Sequence, residues 1–112
     1  MAVGDKVDAL IKDNPVVVFS KSWCPHCANA KRTLKEAAGK GAPEALVIEL
    51  DQSSDFDEQE TQDYLRDITG ARSVPRIFIK GQSIGGNSDL QALKSQDALE
   101  NLLRPQADAH SF

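Results

Sequence analysis

The sequence predicts an α/β domain built on one four-stranded mixed sheet flanked by helices on both faces. Three observations carry this. Val16-Val17-Val18-Phe19 is a continuous β-branched and aromatic run, the composition of a strand buried on both sides. A helix-forming stretch separates it from a second apolar run, so residues 16–50 read as a β-α-β unit, which needs parallel strands and a right-handed crossover. A pair of short strands around Gly81 then adds an antiparallel hairpin.

The elements follow in order. Val7, Leu10 and Ile11 recur at helical spacing, so residues 3–13 form a short amphipathic helix that Asn14-Pro15 breaks. After the first strand, Ser20 to Trp23 turn into a helix from Cys24 to about Ala38, rich in Ala, Lys, Arg, Leu and Glu. Pro25 falls in its first turn, where a missing N–H removes no helix bond, and Gly39 and Gly41 end it. Ala45 to Leu50 is a second buried strand. Asp55 with Glu58 resembles a capping box opening a third helix, whose apolar face is Tyr64, Leu65 and Ile68 and whose stop is Gly70. Arg76 to Lys80 alternates into a third strand, and Gly81-Gln82 turns into a fourth at Ser83-Ile84. Ser88 with Gln91 resembles another capping box. Asp89 to Leu103 is helical, with a break near Ser95.

Length and composition set bounds. The 112 residues fit a single domain over 1–112, with 104–112 a frayed tail. Apolar residues at 40% and charged residues at 27% describe a globular chain rather than a disordered one. The net charge of −4 and the lack of a Lys/Arg cluster argue against a nucleic-acid partner. The opening MAVGDKVDALIKDN is neither a signal peptide nor an Arg-rich transit peptide. No apolar run approaches the roughly 20 residues needed to span a bilayer, so no membrane partner and a cytoplasmic setting are expected.

Cys24 and Cys27 are the only cysteines. A disulfide scaffold spreads its cysteines to close long loops, whereas this pair closes almost none and would constrain the unfolded chain very little. A C-x-x-C at the junction of a strand and a helix points to thiol redox chemistry. Cys24 sits where free helix N–H groups and the helix dipole favour an anion, and the thiolate is the nucleophile in disulfide exchange. Lys21 adds a nearby cation. Cys27 lies almost one turn inside the helix, further from solvent, so Cys24 attacks and Cys27 resolves. A zinc site would need about four ligands. Only His26 and His110 remain, and His26 is too constrained between the cysteines to serve easily. Haem attachment would need His directly after Cys27, where Ala28 stands.

Lys21-Ser22-Trp23-Cys24-Pro25-His26-Cys27 resembles the active site of dithiol glutaredoxins, usually C-P-[YF]-C. Gln62-Asp63-Tyr64-Leu65, the stretch GARSVP from Gly70 to Pro75, and IGGNSDL from Ile84 to Leu90 resemble further motifs of that family, in the same order. The resemblance covers about residues 5 to 103. It implies a thioredoxin fold, glutathione as co-substrate, and a monomer that reduces glutathionylated or disulfide-containing proteins. By the same resemblance Lys21 and Gln62 hold the glycine carboxylate of glutathione, with Arg72 helping. Pro75 is the cis-proline opposite Cys24, and Val74 offers its backbone to the cysteinyl moiety. Gly86 lets the backbone come close. Ser88 opens a helix whose N–H groups receive the γ-glutamyl carboxylate, and Asp89 faces the ammonium.

His26 departs from the family's aromatic residue. It is either a solvent-facing filler or a partly protonated imidazole that favours the Cys24 thiolate. Two rivals bear on the reading. Trp23-Cys24-Pro25-His26-Cys27 is superficially similar to the W-C-G-P-C of thioredoxins, against which the glutathione-site motifs argue. Some glutaredoxins bridge an iron–sulfur cluster between protomers. Proline at position 25 is associated with members that assemble clusters poorly, and no metal is expected.

Overall fold

In the computed structural model, which describes residues 2–104, the chain runs α1 (Val3–Asp13), β1 (Val16–Ser20), α2 (Pro25–Gly39), β2 (Leu46–Glu49), α3 (Glu58–Thr69), β3 (Arg76–Ile79), β4 (Gln82–Gly85), α4 (Asn87–Ser95) and α5 (Leu99–Leu103). The tail expected over 104–112 lies, past Arg104, outside the described residues. The strand order is β2-β1-β3-β4, with β1 parallel to β2 and the other neighbours antiparallel. The sheet is therefore the mixed four-stranded one expected.

Strand periodicity assigns the two helical layers. Val16 and Val18 on β1, with Ile77 and Ile79 on β3, face Ala30 and Leu34 of α2, Leu90 of α4, and Leu99 and Leu103 of α5. The intervening Val17, Phe19 and Phe78 face Val7 of α1, Leu65 of α3, and the linker residues Leu50 and Phe56. Successive side chains on a strand point to opposite faces, so one central strand nucleates both cores. All five residues of β1 are buried, as its uninterrupted apolar run implied.

Several expectations shift. The run Ala45 to Leu50 reads as a buried strand, but Leu46–Glu49 is half-buried throughout because β2 is an edge strand. The cap of α3 is Asp57, whose carboxylate accepts from Glu60 N–H at 3.0 Å, two residues later than the Asp55–Glu58 pair. Asp55 and Phe56 instead donate their N–H groups to Ser53 Oγ in the preceding turn. The cap of α4 is Gly86, whose N–H is accepted by Asp89, in place of the expected Ser88–Gln91 pair. The hairpin turn is Lys80-Gly81 rather than Gly81-Gln82, since Ile79 pairs with Gln82. Both turn residues have positive φ (53° and 81°), as a tight two-residue hairpin of this hand requires. The break near Ser95 is real: α4 ends there, and Asp97 turns the chain at φ 58°. Gly70, at φ 87°, stops α3 by donating its N–H to Arg66 O.

Candidate active site

The site begins where β1 leaves the core. Cys24 is the N-cap of α2, and its sulfur accepts a hydrogen bond from Cys27 N–H at 3.4 Å. That N–H is one of the four a helix start leaves without an intrahelical partner, so the sulfur occupies the positive end of the helix. Pro25 follows in the first turn, where it costs nothing. Cys24 keeps 7% exposure while Cys27 keeps none. Burial, the largest cause, pushes the Cys27 thiol above its ordinary value, and hydrogen bonds from the Lys21 backbone and the Ser20 side chain oppose it. Cys27 is thereby held as a protonated thiol behind Cys24.

The turn into α2 is clamped from the neighbouring strand. Parallel pairing sets Ser20 beside Glu49, so the residues two beyond each, Ser22 and Asp51, meet just past the strand ends. Asp51 accepts from Ser22 N–H at 2.9 Å and from the Ser22 hydroxyl, while Gln52 donates its side-chain amide to Ser22 Oγ. The Ser22 hydroxyl, then the Ser22 N–H, hold the Asp51 carboxyl below its ordinary range. Ser22 belongs to the motif around Cys24, but its partner Asp51 lies outside the motifs that the sequence singled out, although its place is legible once the strand register is known. A depressed folded-state value stabilises the fold above the unfolded value, near pH 4, and this contribution is lost as pH falls through the folded value. Asp51→Ala is therefore expected to lower the thermal midpoint at neutral pH and to narrow the gap from wild type as the pH drops below about 4. A gap that stays constant across this range would remove Asp51 as the source.

Across the sheet from Cys24 lies the Val74–Pro75 peptide bond, which is cis as expected. The Cys24 sulfur is 3.9 Å from Val74 O. A groove of about 370 Å³ runs here, lined by His26, Val74, Pro75, Gly86, Ser88 and Asp89 among others. Gly86 is buried, while His26, Ser88 and Asp89 are exposed. Asp89 caps α4 through one oxygen, 2.9 Å from Gly86 N. Arg76 also lines the groove and was not foreseen. Its guanidinium packs on Gly86, where a Cβ would lie 2.9 Å from Nη2 and push the end of that side chain aside. Burial lowers the Arg76 pKa, and the charge of Asp89 acts in the opposite direction.

The three residues expected to receive a carboxylate are all engaged with protein groups. Lys21 Nζ lies 3.0 Å from Glu58 and 5.8 Å from the centre of the Trp23 ring. Arg72 binds Asp63 at 2.9 Å and Gln59. Gln62 is only 5% exposed, donates to Arg72 O at 3.0 Å, and leaves Oε1 buried without a partner. Among the described residues no three His, Cys, Asp or Glu side chains converge where a metal ion could sit. No helix among them is long and apolar enough to cross a membrane.

Comparison with known proteins agrees with this arrangement. The family model for glutaredoxin matches residues 16–84. The chain is 45% identical to glutaredoxin-1 of Rhizophagus irregularis over 101 residues, covering 90% of this chain and 94% of that one. It is 40% identical to glutaredoxin-1 of Saccharomyces cerevisiae over 99 residues, covering 88% of each. The crystal structure of a buckwheat glutaredoxin–glutathione complex superposes with a TM-score of 0.80 at 37% identity, covering 90% of this chain and 86% of that one. A cysteine pair at a helix start, a thioredoxin-fold sheet and these relatives lead to one conclusion: the chain belongs to the glutaredoxin family, as a dithiol member and a glutathione-dependent thiol–disulfide oxidoreductase.

Proposed function

We propose that the protein reduces protein–glutathione mixed disulfides and small disulfides, with Cys24 as nucleophile and Cys27 as resolving thiol. The observation that carries this is the Cys24 sulfur at a helix N-terminus, 3.9 Å from Val74 O at the wall of an open groove, with Cys27 fully buried behind it. Cys24 thiolate attacks the glutathione sulfur of the mixed disulfide. The sulfur–sulfur bond to the protein breaks, the protein leaves as a thiolate and takes up a proton, and Cys24 becomes glutathionylated. A glutathione thiolate then attacks Cys24–S–SG, releasing glutathione disulfide and regenerating Cys24. In the dithiol route Cys27 gives up its proton and attacks the Cys24 sulfur of Cys24–S–SG, breaking the bond to glutathione, which leaves as its thiolate, and closing an internal disulfide that two glutathiones later reduce. Family potentials of about −200 to −230 mV lie close enough to the glutathione poise for that pool to drive the cycle.

In this reading the cysteinyl backbone of glutathione pairs with Val74 beside Pro75. The γ-glutamyl end lies over Gly86, Ser88 and Asp89, and the glycine carboxylate reaches Lys21 and Gln62, with Arg72 behind them. The groove residues support the first two contacts by their common lining of one surface. The lysine supports the third by being a cation in the turn that carries Cys24. His26 is exposed and lines the same groove, beside the glutathione residues. The protein acts as a monomer in the cytoplasm, where a reducing pool keeps such thiols available.

The test is to trap the first intermediate. Cys27→Ser incubated with glutathione disulfide is expected to gain one glutathione, and peptide mapping is expected to place it on Cys24. Modification elsewhere, or none, would overturn the assignment.

A further inference from the structure

Lys21 does not wait for its ligand as a free cation. Its ammonium is 3.0 Å from Glu58, and its side chain is only 15% exposed. Trp23 covers another side, with the ring centre 5.8 Å away. Asp51 is the other anion near Lys21, but its oxygens are occupied by the Ser22 N–H and hydroxyl. Glu58 is therefore the anion that an incoming carboxylate meets. It is the first residue of α3, at the positive end of the helix, where a negative side chain is favoured. A ligand carboxylate arriving at Lys21 must share the ammonium with this fixed charge or push it aside.

We propose that Glu58 is a specificity-determining residue, a built-in competitor that sets how tightly the site holds the glycine carboxylate of a glutathionylated substrate. The inference rests on the reading that Lys21 receives that carboxylate. Two like charges drawn to one partly exposed ammonium repel each other, so Glu58 weakens binding of carboxylate ligands specifically. A ligand whose glycine end is neutral is indifferent to it. The size of the effect is that of one ion pair near the protein surface, about two- to five-fold in binding.

The experiment compares a glutathionylated peptide with the same peptide carrying the glycine ethyl ester of glutathione, at fixed glutathione concentration. Glu58→Gln keeps the side chain's length and removes its charge. It is expected to lower KM for the free acid about two- to five-fold, leaving kcat and the KM for the ester unchanged. Lys21→Gln is expected to raise KM for the free acid and not for the ester. If Lys21→Gln leaves the free-acid KM unchanged, the carboxylate does not go to Lys21, and both the reading and the proposal fall. If Lys21→Gln raises it but Glu58→Gln does not lower it, the reading stands and the competitor role is overturned. An equal drop for acid and ester also overturns that role, since the effect would not concern the carboxylate.

Discussion

Cys24→Ser is expected to abolish glutathione-dependent reductase activity, while Cys27→Ser keeps reduction of glutathionylated protein and loses the route through an internal disulfide. The two cysteines are three residues apart, yet the fold treats them differently. Cys24 caps α2, accepts the Cys27 N–H, and retains 7% exposure. A serine there can accept the same hydrogen bond, so the helix start survives, but a hydroxyl cannot form a mixed disulfide with glutathione. Cys27 has no exposure, and burial pushes its thiol up, so it meets substrate only after Cys24 has brought the disulfide to it. A coupled assay with glutathione, glutathione reductase and a glutathionylated peptide separates these roles. Full loss in Cys27→Ser with survival of Cys24→Ser would reverse them, and equal partial losses would mean that neither cysteine is the sole entry point.

The architecture was legible because its signals are local. Four consecutive apolar residues ending at Phe19, three of them β-branched, favour a strand covered on both sides, and the junction with Cys24-Pro25 announces the helix that follows. Burial of a strand depends on its neighbours, which its own composition does not reveal, so Ala45 to Leu50 reads as a buried strand although Leu46–Glu49 is half-buried at the sheet edge. Capping residues were misassigned for a related reason. Acidic residues crowd positions 55 to 60, and several spacings fit the same pattern, so the choice of Asp57 is made by the path of the chain from Ser53. At the site, Cys24, Val74, Pro75 and Asp89 were found by motif, and each is near the groove. Ser22 with Asp51, Lys21 with Glu58, and Arg76 on Gly86 were not foreseen as pairs. Each joins side chains that only sheet register or helix placement brings together.

Phe19→Ala is expected to destabilise the fold by about 3–5 kcal/mol, the range for truncating a buried aromatic in a core that cannot collapse around the loss. Phe19 has no exposure and meets two rings edge-on, Phe56 at 6.4 Å and Phe78 at 6.0 Å between centroids. Those partners come from the linker before α3 and from β3, so the cavity would open between elements fixed by separate hydrogen bonds. Against a total stability of about 5–15 kcal/mol, such a loss is a large fraction. For a chain of this length it corresponds to a fall in thermal midpoint on the order of 10–20 °C. Trp23, four residues further on, is the control: it is 69% exposed, and Trp23→Ala is expected to change stability by no more than about 0.5 kcal/mol. Thermal unfolding of the two variants decides the matter, and a Phe19→Ala midpoint within a few degrees of wild type would mean that the α1–α3 layer repacks. The contrast has a functional side. Phe19 anchors the strand end from which the Lys21–Cys24 turn departs, so the residue that secures the site carries none of its chemistry. Trp23 stands beside Cys24 and Lys21 in solvent, where a stability measurement will not register it.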